Sequence, residues 1–333
     1  MDIEGAIFLK EMPHGEAILF FDEPTEFERL WESIRWDRES IRASGFTWAI
    51  LPRGELENVL SERDGGFLLP DHMVASTESE YRLLRDMLEG KQVSSADRYC
   101  IQKRLIKSPE DIEKIRKVIR ITEETYRYIT ENVRPGMYEY EIEAMIGYIF
   151  CLERWVEAFP TIVASGVNTC TLHYTAHDRQ IQSGELILLD FGIEIDGYGA
   201  DISRTFPVSG GFTPRQQEIY DAVMEVKRFA VSTLRPGTTR RAWSIGVKEY
   251  MFDVCTKLEL KDMEKYTPLA NPYFPHSIGH FLGLDTHDIG DTDMPLTPGM
   301  VMTIEPGIYI SEEAIGIRIE DDYLITENGC ERL

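Results

Sequence analysis

One punctuation mark occurs twice in this 333-residue chain and limits the fold more than any other feature. Ser108-Pro109-Glu110-Asp111 places a good N-cap, a proline at the first helical position and acids in the first turn. A helix is predicted from there to about Val133, stopping at Arg134-Pro135-Gly136, with a second helix over roughly 138–155. Thr213-Pro214 opens another helix, which stops at Arg235-Pro236-Gly237, 101 positions after the first stop, and a further helix runs to about Lys257. Each copy is followed by strands that carry charged residues. The pattern reads as an internal duplication, with a chance recurrence of Arg-Pro-Gly as the alternative.

Residues 1 to about 105 read as a small α/β unit. EAILFF (16–21) and FTWAILP (46–52) are predicted strands, EFERLWESIRW (26–36) an amphipathic helix, and YRLLRDMLEG (81–90) a helix ending at Gly90. Nothing here has catalytic spacing, and His14 and His72 stand alone. The expected domains are 1–107, small and apparently shortened, and 108–333.

Bulk properties exclude several partners. A net charge of -23 argues against nucleic acid and against an anionic membrane surface. No segment approaches the roughly 20 apolar residues of a membrane span. The opening residues are acidic where a secretion signal would be basic. The five cysteines are scattered and lack a CxxC, as expected of reduced thiols in a cytoplasmic protein.

The most informative stretch is ELILLDFGIEIDGYGADISRTFPV (185–208). Asp196-Gly197 is a strong signal for a two-residue hairpin turn. That turn pairs Ile195 with Tyr198, sets Asp190 opposite Ser203, and brings Asp190 and Asp201 onto one face as diagonal neighbours. Two aspartates so close repel unless a proton or cation lies between them. A bland reading stays open, in which Asp190 pairs with an arginine such as Arg204 and Asp201 caps a turn.

His276, His280 and His287 fall within twelve residues, in PHSIGHFLGLDTHD. Gly279 and Gly283 disfavour a regular helix there, and there is no HExxH. Alone, the cluster could be a zinc site, an acid–base pair or incidental. MVMTIEPGIYI (300–310) is predicted as a strand with Glu305 at its end, broken by Pro306-Gly307. In IGIRIEDDYLIT (315–326), Ile315, Ile317 and Ile319 face one side, and Gly316, Arg318 and Glu320 the other. Taken alone, that hairpin suggests an Arg318–Glu320 pair on a solvated face. Taken together, two aspartates, two glutamates and an intervening histidine form a hard, oxygen-rich donor set. It suits Mn²⁺, Co²⁺ or Fe²⁺ better than a structural zinc. Four carboxylates can neutralise two divalent cations, and such pairs generate a nucleophilic hydroxide at neutral pH.

In order, LLDFG, GADISRTFPV, HSIGHFLGLDTHD, TIEPGIYI and GIRIEDDYLIT resemble the pita-bread metallopeptidase family, in its proline-directed branch of aminopeptidase P, prolidase and creatinase. The resemblance covers roughly 108–333. It implies an α+β architecture: a pita-bread catalytic domain with a pseudo-twofold duplication, preceded by a small α/β domain. It implies hydrolysis of the Xaa-Pro bond at the N-terminus of small peptides by a metal-bridging hydroxide, with an Xaa-Pro dipeptidase as the alternative. Two divalent ions are expected, Mn²⁺ first, with Co²⁺, Fe²⁺ or Zn²⁺ as alternatives, in a homodimer. Asp190, Asp201, His280, Glu305 and Glu320 match the metal ligands, Asp201 and Glu320 as bridges. Glu305 matches the general base, and His173 a histidine lining the site. His276 matches one holding the proline, His287 one assisting proton transfer, and Arg318 an arginine orienting the acids.

The first part is shorter than aminopeptidase P usually has, and the 305–320 stretch is compact as in short prolidases. A catalytically dead binding module and creatinase-like chemistry without metals are the rival classes. The filled ligand set weighs against both. Methionine aminopeptidase shares the ligand logic but usually lacks an N-terminal unit and the GIRIEDD segment.

Overall fold

The computed structural model describes residues 6–11, 15–31, 36–63, 66–69, 78–152 and 155–333. His14, His72 and residues 32–35 of the expected 26–36 helix lie outside them, and Trp36 is not helical. The chain divides into two compact units, Met1–Cys100 and Ile101–Leu333. The division falls within the helix Asp97–Leu105.

In the first unit, strands Ile7–Lys10, Ala17–Phe20 and Ala49–Leu51 form one sheet, the first pair antiparallel and the second parallel. Gly66–Leu69 and Gln92–Ser95 pair in parallel. The helix expected over 81–90 runs from Glu78 to Met87.

In the second unit, helix α1 (Pro109–Asn132) starts on a capping box, Ser108 exchanging hydrogen bonds with Asp111. Its buried face includes Ile115, Val118, Ile119, Thr122, Tyr126 and Ile129, the spacing of an amphipathic helix. Helix α2 (Glu139–Leu152) follows. Strands β1 (Val156–Glu157), β2 (Ile162–Ser165), β3 (Leu186–Phe191), β4 (Ile193–Ile195), β5 (Tyr198–Gly199) and β6 (Ile202–Pro207) complete the first half. The second half repeats the plan. Helix α3 (Pro214–Thr233) starts on a Thr213–Gln216 capping box, and α4 (Arg240–Lys257) follows. Then come β7 (Val301–Ile304), β8 (Gly307–Ile310), β9 (Ile315–Arg318), β10 (Asp321–Ile325) and β11 (Cys330–Arg332).

The duplication extends to hydrogen bonds. Gly136 and Gly237 both have left-handed φ, +95° and +88°. Gly136 N–H donates to the Ile181 carbonyl and Ile181 N–H returns to Met137, both at 2.8 Å. Gly237 N–H donates to Leu296 at 2.8 Å and Leu296 N–H returns to Thr238 at 2.7 Å. Each half contributes most of one core cluster. Ile115, Val118 and Ile129 pack with Ile187, Leu189 and Phe191, while Ile219, Val223 and Val226 pack with Met302, Ile304 and Ile317.

The hairpin register follows the turn. Asp196 and Gly197 both have positive φ, Tyr198 pairs with Ile195, and Ser203 pairs with Asp190. The halves meet where β6 lies against β9. Thr205 Oγ1 receives the Arg318 N–H at 3.1 Å, and the Glu320 N–H donates to the Ser203 carbonyl at 3.0 Å.

At matching positions 101 apart, Tyr126 of α1 and Lys227 of α3 pin the strand ends at that seam. The Tyr126 hydroxyl lies 2.7 Å from the Leu189 carbonyl and 2.6 Å from that of Ile202. Lys227 Nζ donates to the Ile319 carbonyl at 3.1 Å and pairs with Asp321, though burial lowers its pKa to about 8. Replacing Tyr126 with Phe removes the one hydroxyl hydrogen that the two buried carbonyls share. Tyr126→Phe is expected to cost about 1–3 kcal/mol in denaturant unfolding, and an unchanged midpoint would contradict this account.

Candidate metal centre

The carboxylates arrive from strand ends of both halves. Asp190 lies near the end of β3, Asp201 just before β6, Glu305 between β7 and β8, and Glu320 between β9 and β10. Asp190, Asp201 and Glu320 are 7%, 5% and 2% exposed, too buried for water to screen them.

The histidine segment 276–280 is irregular, as its glycines imply. A Cβ on Gly279 would collide with the Thr303 carbonyl, so glycine lets the segment lie against β7. The His280 carbonyl accepts the Thr303 N–H at 2.9 Å, and its N–H donates to Thr303 Oγ1 at 3.0 Å.

Three ligand groupings overlap here, each with atoms within 4.8 Å of one another. They are Asp190/Asp201/Glu320, His280/Glu305/Glu320 and Asp201/His280/His287. The five residues matched as ligands from sequence are therefore brought together, and Glu320 is shared by two groupings. His280 Nε2 lies 3.2 Å from Asp201 and 3.7 Å from Glu305. Its Nδ1 is committed to the Phe281 carbonyl at 3.0 Å, an arrangement common in metal-bound imidazoles. Nε2 therefore faces the carboxylates either as an imidazolium N–H or as a lone pair across a cation.

Without a cation the cluster is in electrostatic conflict. Burial, then the charges of Asp190, Asp322 and Glu305, push the Asp201 pKa well above the carboxylate range. Burial, then Asp201, Glu305 and Asp190, do the same to Glu320. Burial drives Asp322, whose carboxylate accepts the Asp201 N–H at 3.2 Å, up to about 8. Glu305 goes the other way. Burial raises it, but the hydrogen bond from His276 and the His276, His280 and Arg318 charges outweigh that. Buried Asp190 Oδ1 and Glu320 Oε1 have no hydrogen-bond partner. Orphaned carboxylate oxygens facing an imidazole fit a divalent cation, and the oxygen-rich donor set fits Mn²⁺-type ions.

A polar frame fixes the acids. Arg318 is buried and donates to Asp190 at 2.6 Å, to Ser203 Oγ at 2.8 Å and to the Tyr309 hydroxyl at 3.1 Å. Ser203 Oγ donates to Glu320 at 2.7 Å. His276 Nε2 lies 2.8 Å from the Tyr309 hydroxyl, and its Nδ1 3.3 Å from Glu305. The solvated Arg318–Glu320 pair suggested by the isolated hairpin is not found, because the opposite half covers that face. Arg204 pairs with Asp321 at 2.5 Å, leaving Asp190 to Arg318.

His287 is exposed, with its ring centroid 4.2 Å from that of His280. Its ring is nonetheless partly desolvated where it lies beside His280, which, followed by the His280 charge, lowers its pKa. His173 is exposed and belongs to none of the three groupings. Its neighbour Tyr174 donates to the buried carboxylate of Glu139 at 2.8 Å. That carboxylate also accepts from the Ser165 N–H at 2.6 Å, Ser165 Oγ at 2.7 Å and the Arg179 N–H at 3.1 Å.

Sequence reasoning missed Glu139, Ser203, Tyr309 and Asp322. Only Asp322 had a signal, two positions beyond Glu320 in the acidic run. Glu139 looks like an ordinary first-turn acid of a helix.

The fold has the pita-bread architecture and carries a buried, oxygen-rich donor cluster at the seam of its halves. The model of metallopeptidase family M24 matches residues 113–327, and the chain belongs to that family. It is 42% identical over 249 residues to an Xaa-Pro aminopeptidase of Escherichia coli, covering 69% of this chain and 56% of the relative. The chain thus spans little more than half of that relative's length. It is 36% identical over 252 residues to an Xaa-Pro dipeptidase of Pyrococcus furiosus, covering 73% of this chain and 67% of the relative. The solved low-pH form of Escherichia coli aminopeptidase P superposes with a TM-score of 0.85 at 32% identity, covering 98% of this chain and 82% of the other.

Carboxyls with raised folded pKa values stabilise at low pH and lose that stability as pH rises through those values. Asp201, Glu320 and Asp322 are raised and Glu305 is lowered, so chelator-stripped protein should lose stability between about pH 5 and pH 8. The gain in Tm from added Mn²⁺ should be larger at pH 8 than at pH 5. A gain that shrinks with pH would count against the centre. Separately, Glu139→Gln turns an amide N–H toward donors and should cost about 1–3 kcal/mol by denaturant unfolding, with no loss contradicting the network drawn here.

Proposed function

We propose that this chain is a dinuclear-metal aminopeptidase that hydrolyses the bond between an N-terminal residue and a following proline. The observation that carries the reading is the buried donor cluster at the seam, with orphaned Asp190 and Glu320 oxygens, in a chain of family M24. Asp190, Asp201, His280, Glu305 and Glu320 would hold two divalent ions, with Mn²⁺ proposed as the native pair. Bound there, such ions supply Lewis-acid polarisation and make water nucleophilic at neutral pH.

The chain's own residues supply the rest. Glu305 takes up the proton of the attacking water and passes it to the leaving nitrogen, as a general base then acid. Its carboxylate is suited to this because His276 and Arg318 hold it ionised despite burial. Arg318 keeps Asp190 in place and, through Tyr309, orients the ring of His276. His276 would help to hold the proline ring. His287 and His173 stand on exposed segments from which they can donate to the carbonyl oxygen as charge develops. A proline nitrogen carries no N–H, so subsites that require one cannot recognise this bond. Chemistry directed at the carbonyl avoids that requirement.

The Pyrococcus relative keeps an Xaa-Pro dipeptidase as the second reading. Mn²⁺-loaded protein should be offered an Xaa-Pro dipeptide and an Xaa-Pro-Xaa tripeptide side by side, with a chelated control. The expected result is metal-dependent cleavage mainly of the tripeptide. Cleavage mainly of the dipeptide would select the second reading, and no cleavage of either would overturn both.

A further inference from the structure

A second knot of charge lies behind the loop that carries His287. The Asp288 side chain is fully buried, and that of Lys107 is 2% exposed. Lys107 Nζ approaches Asp288 Oδ2 at 3.1 Å, and Arg104 approaches Oδ1 at 2.6 Å. The Ile289 N–H donates to the same Oδ1 at 2.9 Å, so both carboxylate oxygens are engaged. Arg104 also pairs with Asp285 in the same loop. A Cβ at Gly283 would run into Asp288 Oδ2 and Lys107 Nζ, so the loop leaves space for this pair. On the other side, the Lys107 N–H is fixed to the Gly299 carbonyl at 2.9 Å.

Such a pair is a poor means of stabilising a fold. Desolvating two charges can cost more than their attraction returns, and apolar residues often serve equally well. What the pair does provide is a defined position for the backbone at 288, where the Asp288 N–H also donates to the Phe281 carbonyl at 2.9 Å. His287 needs that. Its ring is exposed, and among the described residues no side chain hydrogen-bonds it. Apart from the ring contact with His280, its place is therefore set by the backbone, one residue from the buried carboxylate.

We infer that the buried Lys107–Asp288 ion pair, assisted by Arg104, is the positioning device for the His287 imidazole. Lys107 belongs to the segment just before α1 and lies far in sequence from the cluster. It acts on the reaction only through His287. The inference uses the aminopeptidase reading for its kinetic assay, and a spectroscopic arm is independent of it.

The kinetic arm compares wild type, Lys107→Met, Lys107→Arg, Asp288→Asn, His287→Ala and the Lys107→Met/His287→Ala double variant, all metal-loaded. Lys107→Met and Asp288→Asn should each lower kcat about ten- to a hundredfold, with KM within about twofold and metal content unchanged. Lys107→Arg should restore most of kcat. In the His287→Ala background, Lys107→Met should change kcat less than about twofold, because the group it positions is gone. An undiminished loss in that background, or full kcat in folded Lys107→Met, overturns the inference. If Lys107→Met fails to fold, Asp288→Asn and its double variant with His287→Ala carry the same comparison.

The spectroscopic arm uses Zn²⁺-loaded protein with ¹⁵N-labelled histidine, the His287 ring signal being assigned by its absence in His287→Ala. Lys107→Met should shift or split that signal while leaving the buried His177 ring unchanged. An unmoved His287 signal overturns the inference even if wild type cleaves no peptide. Wild type that cleaves while the cycle is additive separates failure of this inference from failure of the proposed function.

Discussion

Negative charge gathered where water cannot screen it governs this structure. Asp190, Asp201, Glu305 and Glu320 converge at one seam, with Asp322 behind them. Arg318 is the buried guanidinium among them, and its direct partner is Asp190. Coulomb repulsion between close carboxylates in a poorly polarisable interior is far larger than in water. Protons can relieve it, as the raised Asp201, Glu320 and Asp322 pKa values indicate. Divalent cations relieve it without neutralising the acids. The same repulsion would therefore be what draws a cation into the cluster.

The duplicated halves make this arrangement mechanically reasonable. Each half contributes most of one apolar cluster, packed between a helix pair and a sheet and built without the acids. Strand ends are then free to carry charge toward the other half. Tyr126 and Lys227, at matching positions in the long helices, tie down carbonyls one residue away from the acids: Leu189 beside Asp190, and Ile319 beside Glu320. Buried polar anchors of this kind hold ligands in place so that binding a cation requires little reorganisation.

Local signals in the sequence carry over directly into the structure. The Asp196-Gly197 turn set the hairpin register, because side chains alternate strictly along strands and a turn of fixed length leaves no slack. Both capping boxes and both Arg-Pro-Gly stops fell where the residues place them, since caps and prolines act within one helical turn. The second helix, expected over roughly 138–155, is described from Glu139 to Leu152, and residues 153–154 lie outside the described ones. The 315–326 stretch alternates as expected, yet its polar face is buried, because alternation reports two faces and not what covers them.

The sequence by itself determined the helix–stop–helix repeat, the hairpin register and, through the order of five segments, the family resemblance with its candidate ligands. Those depend on interactions between near neighbours or on recurring residue order. Only the tertiary structure decided which acid Arg318 neutralises, that Arg204 serves Asp321, that Ser203, Tyr309 and Asp322 frame the site, and that Glu139 gathers Ser165, Tyr174 and Arg179. It also decided that Lys107 reaches Asp288, 181 positions away. Charge pairing between distant segments is chosen by which partners the packed cores bring within a few ångströms, and spacing along the chain carries no record of that distance.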